Sequence, residues 1–244
     1  EVLGYDMWQL IQQGTQEDIN LTQRTQPILL TCSVAIWRLW NQKQGASPSQ
    51  MAGHSLGEWS ALVCANVIDF ADGLKIVEAR GKYMQQAVPV GQGAMAAIIG
   101  LDDKAILAAC TEASTLGVVD AVNFNAPGQV VIAGANDAVE RAMDICKAAG
   151  AKRALPLPVS APFHTSLMKP AADNLAEMVN TITFRAPEVP VMHNVHAKNE
   201  HDPQAIKALM LEQIYSPVKW VDCVEQLKDS GVSALVECGP GKVL

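Results

Sequence analysis

The chain has 244 residues, 49% of them hydrophobic, and a formal net charge of −7. That length suits one large domain or two small ones, and the acidic balance argues against a general nucleic-acid binder, which needs a basic footprint. No apolar run approaches the ~20 residues that span a bilayer, no secretory or transit leader is read at the start, and six cysteines without a Cys-x-x-Cys pair read as reduced thiols of a cytoplasmic protein.

Residues 1–45 read as helical. Pro27 falls near the start of a helix whose apolar stripe takes in Leu30, Val34, Ile36, Trp37 and Trp40, and Gly45 ends it. A short strand over 50–54 runs into a turn and a helix over 56–66. A further helix covers 72–87, with Asp72 as its N-cap. From residue 91 the rhythm changes. Strands over 95–99, 118–123, 129–133 and 153–159 alternate with helices over 102–113 and 136–149, the latter ended by Gly150. The order βαββαβ is a split ferredoxin-like unit. It reads as a small domain, 91–159, inserted into a discontinuous larger one, 1–90 with 160–244. The remainder gives helices over 167–181, 203–214 and 221–229, and short strands over 189–195 and 234–237. Strands alternating with helices imply an α/β fold with a parallel sheet.

The sharpest local signal is Gly53-His54-Ser55-Leu56-Gly57, a G-x-S-x-G between a strand and a helix. A nucleophilic serine needs a tight strand-to-helix turn, with glycines removing side chains that would clash. The helix N-terminus then offers amides to an oxyanion, and the amide of Leu56 is the natural donor. The plain alternative is a glycine-rich turn with an exposed serine. His54 is expected to point away from the elbow and pack. His164 lies just past the last strand of the small unit; a lone histidine is more often structural. His193 and His196 have i, i+3 spacing, but no cysteine or acidic ligand pattern accompanies them, so no metal site is expected. Arg80 shares a helical stripe with Gly73, Val77, Met84 and Ala87. An arginine on a buried stripe needs an anionic partner, either an internal carboxylate or a ligand.

With Glu58 added, the elbow resembles the GHSLGE signature of malonyl-CoA:acyl carrier protein transacylases and related acyltransferase domains. The stretches 159–164 (VSAPFH), 123–129 (NFNAPGQ) and 238–244 (CGPGKVL) agree, in order along the chain. The resemblance implies a hydrolase-like parallel-sheet domain with an inserted ferredoxin-like small domain. It implies ping-pong transfer of malonyl from malonyl-CoA, through an ester on Ser55, to the pantetheine thiol of acyl carrier protein, without cofactor or metal. His164 would be the base. Gln213 would orient it through a backbone carbonyl, since no acidic third member is evident. Arg80 would bind the malonyl carboxylate as a planar fork. Met84 would help wall the acyl pocket, and Phe163 would fill the space a methylmalonyl branch needs. For docking of an acidic carrier, Lys152 and Arg153 are the candidates, with Lys169 behind them. Two other readings stay open: a serine hydrolase such as a thioesterase, and an inactive fragment of the transacylase. The second arises because no strand is read before Ser49 and no Gly-Gln-Gly precedes the elbow. A strand and its loop are therefore expected ahead of Glu1, and a helix after Leu244.

Overall fold

The computed structural model describes residues 2–159 and 161–241. Glu1, Ser160 and residues 242–244, with the parts of the quoted motifs that fall on them, lie outside the described residues.

The first 45 residues form three helices, α1 (Met7–Gln13), α2 (Gln16–Asn20) and α3 (Thr22–Gln42). Asp6 and Thr15 cap the first two by accepting from Gln9 N and Asp18 N. Pro27 therefore sits inside α3 rather than near its start. Leu30 and Val34 of the expected stripe are buried, but Ile36 is 39% exposed and lies off it. The chain leaves α3 through Gln44 (φ 57°), and Gly45 N–H returns to Trp40 O at 2.9 Å. The helix thus ends on a left-handed glutamine, with Gly45 one residue beyond it.

Strand β1 (Met51–Ala52) runs through the elbow into α4 (Leu56–Cys64), and α5 spans Phe70–Gln86. Asp69, not Asp72, occupies the N-cap of α5. Asp72 lies in the first turn and pairs with Lys75 at 3.1 Å.

Next comes β2 (Gly93–Ile99), α6 (Asp103–Ala113), β3 (Val119–Ala126), β4 (Gln129–Ala135), α7 (Asn136–Ala148) and β5 (Arg153–Pro156). These strands form one antiparallel sheet in the order β3-β4-β2-β5, the ferredoxin-like arrangement read from the sequence. Its side chains alternate as a two-residue period demands. Ala96, Ile98, Val130 and Ile132 pack with α6 and α7. Met95, Val131, Ala133 and Val122 face the other way, with Leu157 and Phe163 against them. β5 stops at Pro156, where proline is tolerated because the strand is an edge.

The chain then gives α8 (Lys169–Thr181), β6 (Val191–His193), β7 (Lys198–Asn199), α9 (Pro203–Glu212), a single 3₁₀ turn (Gln213–Tyr215) and α10 (Trp220–Asp229). β6 pairs parallel to β1 and antiparallel to β7. Around them α3, α4, α5, α8 and α9 build the main core from residues such as Leu30, Trp59, Leu62, Val77, Leu175 and Met210. The strand expected over 234–237 is not formed. That stretch pairs with no strand among the described residues, and Leu235 and Val236 are 51% and 66% exposed. Its apolar run alone could not supply a ladder partner. Among the described residues no helix is long and apolar enough to cross a membrane.

Candidate active site

Ser55 sits between β1 and α4 with φ 52° and ψ −102°, a backbone state that costs a non-glycine residue of order 1–3 kcal/mol. Gly53 makes that turn possible: a Cβ there would lie 1.9 Å from the carbonyl carbon of Gly57 and 2.4 Å from Glu58 N. Gly57 differs from expectation, since a Cβ on it would meet nothing within 4 Å. Only the first glycine of the motif is sterically required. Asn194, just after β6, clasps the turn from both sides. Its Oδ1 accepts from Ser55 N at 2.7 Å and its Nδ2 donates to Gly53 O at 2.8 Å.

His164 stands on a turn leading into α8, also at positive φ (65°) and 4% exposed. Ser55 Oγ and His164 Nε2 are 2.8 Å apart, and His164 Nδ1 is 2.8 Å from Gln213 O. A carbonyl can only accept, so the proton is on Nδ1 and the Nε2 lone pair faces the serine hydroxyl. Burial, then the Arg80 charge, pull the imidazole down to about 3. It is neutral at ordinary pH and able to accept a proton.

Arg80 reaches the same point from α5. Nη2 donates to Ser55 Oγ at 3.0 Å and to Gln213 Oε1 at 3.0 Å, and Nη1 donates to Gln26 Oε1 at 2.8 Å. The side chain is 2% exposed, and burial draws its pKa down to about 10, opposed by the charge of Glu58. It makes no ion pair among the described residues, so the internal salt bridge considered for it is not formed. Gln26, on α3, gave no signal in the sequence. Neither did Asn194, whose contacts span about 140 residues.

The other candidates lie around this centre. Leu56 is the first residue of α4, where an amide has no helical acceptor of its own. Phe163 is half-buried and packs against both the main core and the inner face of the small sheet. Met84, 2% exposed, belongs to the main core. His54 turns away from the hydroxyl, as expected; Nε2 lies 2.8 Å from Asn125 Oδ1 of β3, and its ring meets Trp220 edge-on at 5.6 Å. His193 is taken up by Glu58 at 2.7 Å, and no group of three metal-binding side chains occurs among the described residues. Lys152 and Arg153 are exposed at the start of β5. Lys169 is engaged by Asp173 at 2.5 Å.

A strained serine on a strand-turn-helix elbow, a buried neutral histidine aimed at it and a helix N-terminus behind it form an arrangement suited to acyl transfer through a serine. The chain belongs to the acyl transferase domain family, whose model matches residues 1–244. It is 62% identical to the malonyl CoA-acyl carrier protein transacylase of Escherichia coli K12 over 99% of this chain and 78% of that protein. With the Bacillus subtilis transacylase the identity is 43% over the whole chain and 77% of the relative. Among solved structures, an acyl carrier protein S-malonyltransferase from Vibrio cholerae superposes with TM-score 0.98 at 61% identity, covering 99% of this chain and 79% of that one. A malonyl-transacylase solved in complex with a type II polyketide acyl-carrier protein matches with TM-score 0.98 at 58% identity, over 99% and 78%.

Proposed function

We propose that this chain transfers malonyl from malonyl-CoA to the pantetheine thiol of acyl carrier protein through an ester on Ser55, supplying fatty acid synthesis in the cytoplasm. One observation carries the reading. Arg80 is a buried guanidinium 3.0 Å from Ser55 Oγ, and its other partners are the neutral carboxamides of Gln26 and Gln213. A fork-shaped cation with neutral partners beside a nucleophile suits an acyl group that carries its own carboxylate. A hydrolase of neutral acyl esters has no use for it, which favours transacylase over thioesterase.

In this mechanism Ser55 Oγ attacks the thioester carbon while His164 Nε2 takes its proton. Gln213 O holds the Nδ1 proton, so the ring cannot turn. The Leu56 amide receives the developing oxyanion at the first turn of α4. Collapse breaks the carbon–sulfur bond, and His164 returns the proton to the departing CoA thiolate. The pantetheine thiol of the carrier then gives its proton to His164 and attacks the ester. Ser55 leaves with that proton, and the enzyme is restored. Phe163 and Met84 bound the acyl end, and Lys152 and Arg153 meet the carrier. No step calls for a metal or cofactor. The division into 1–90 with 160–244 and an inserted 91–159 accords with a main hydrophobic core built from the first two segments and a separate one built from the third.

The test is exposure to malonyl-CoA followed by peptide mapping. One malonyl unit on Ser55 is expected, and it should pass to pantetheine faster than to water. Label on a cysteine would reject the nucleophile. Faster loss to water would favour the hydrolase.

A further inference from the structure

Glu58 is fully buried, and the mechanism above makes no use of it. A carboxylate withdrawn from water is expensive unless its oxygens are satisfied. Oε1 accepts from His193 Nδ1 at 2.7 Å. Oε2 accepts from Gln213 Nε2 at 2.7 Å and from the Asn194 amide at 3.1 Å. The last two residues each hold the reacting pair by another group. Asn194 clasps the elbow on both sides of Ser55. Gln213 Nε2 also donates to Ser55 O at 2.9 Å, and its backbone oxygen receives the His164 proton.

We propose that Glu58 is a positioning residue for acyl transfer: its carboxylate fixes Gln213 and Asn194, and through them the angle of Ser55 and the carbonyl that aims His164. Three donors converge on two oxygens, which a carboxamide of the same shape cannot match without turning a donor away or moving the His193 proton to the unpartnered Nε2. Its NH₂ would face either His193 or the Gln213 and Asn194 donors. His193 Nε2 is buried without a partner among the described residues, so its ring makes its hydrogen bond through Nδ1. The Gln213 amide lies between Glu58 and Arg80, its oxygen toward the guanidinium and its nitrogen toward the carboxylate. Substrate binding and histidine aim are thereby joined through one side chain.

The inference rests on Ser55 and His164 as the reacting pair, and its test includes a readout that needs no acyl substrate: the rate at which phenylmethanesulfonyl fluoride labels Ser55. Glu58→Gln, Gln213→Ala and the double variant are compared with the parent chain for that rate, for kcat and KM with malonyl-CoA, and for the unfolding midpoint. Glu58→Gln should slow both labelling and kcat roughly 10- to 100-fold with KM changed less than about threefold, since it disturbs geometry rather than binding. In the Gln213→Ala background the same change should cost less than in the parent chain, because one of its two paths is already cut and only the one through Asn194 remains. Unchanged labelling in Glu58→Gln, or an equal loss in both backgrounds, overturns the proposal. If Glu58→Gln does not fold, Glu58→Asp keeps the charge but withdraws the carboxylate by a methylene, and parent-like labelling there overturns it as well. A parent chain that labels at Ser55 yet takes no malonyl from CoA would sink the proposed function while leaving this inference tested.

Discussion

β2 pairs with β4 along its whole length, from Gly93↔Ala135 to Ile99↔Gln129, whereas β1 and β6 meet only at Met51↔Val191 and Ala52↔Met192. The described non-glycine residues with positive φ (Gln44, Ser55, Asn66, His164 and Ala197) all lie outside 91–159. The small sheet is held by long ladders, regular between β2 and β4 and shifted in register at two points between β3 and β4, and by an alternating core. The site region has little ladder and two strained residues that face each other, Ser55 and His164. Side-chain hydrogen bonds from Asn194, Gln213 and Glu58 hold it instead. The contrast suggests that ladder geometry is given up where the backbone must present a hydroxyl and an imidazole to each other, and that a buried polar network replaces it.

Substitutions can break that comparison. Ser55→Ala should abolish malonyl labelling, a loss of ~10³-fold or more in turnover, with the unfolding midpoint unchanged or raised; intact-mass measurement after malonyl-CoA exposure checks it. Ile132→Ala, in the fully buried centre of β4, should do the reverse. It should cost ~2–5 kcal/mol of stability, read by denaturant unfolding, and leave the rate per folded molecule close to the parent. A large rate loss there would mean the small sheet shares in the chemistry.

Arg80→Ala should lower kcat/KM for malonyl transfer roughly 10- to 100-fold, the loss of a charged hydrogen bond of ~1.5–3 kcal/mol, and acetyl transfer less. Equal losses would make Arg80 structural. The pH profile sharpens the same point. With His164 held down to about 3, kcat/KM should show no acid limb from this group near its ordinary value of 6.5. Arg80 is one cause of the depression, so Arg80→Ala should move the acid limb upward, still short of the ordinary value because burial remains. A limb that stays or falls would separate Arg80 from the base. The smallest effect is expected at the surface. Reversing Lys152 and Arg153 to Glu should raise KM for the carrier roughly severalfold by opposing its acidic face and spare free pantetheine; equal kinetics with both acceptors would remove the patch.

How much of this was legible in the sequence follows the same division. The element order of the small unit was readable because its strands are short runs marked off by turn residues, as Val130 to Ala133 is by Ala126-Pro127-Gly128; the faces were not, since that run is apolar throughout. The elbow was readable because its steric demand falls within five residues. Arg80 stood out as the one charge on an apolar stripe. What could not be read are contacts made across the chain. Asn194 and Ser55 are 139 positions apart, and Glu58 and His193 135, so neither pairing leaves a spacing to find. Asp72 was taken for the cap of α5 although Asp69 occupies that place; its carboxylate meets Arg185, 116 positions away. Over 234–237 the apolar pattern was read correctly, but a strand also needs a neighbour.

One joint between the two regions has a further consequence. Phe124 N–H donates to Val218 O at 3.0 Å and Val218 N–H to Val122 O at 2.8 Å, stitching β3 to the segment five residues past Gln213. Those two amides lie on either side of the joint, and neither can reach solvent until the sides part. In hydrogen exchange they should lose protection together, in a single opening event that also loosens the carbonyl under His164. A fluctuation that parts the two regions would then also free the imidazole from the carbonyl that holds it.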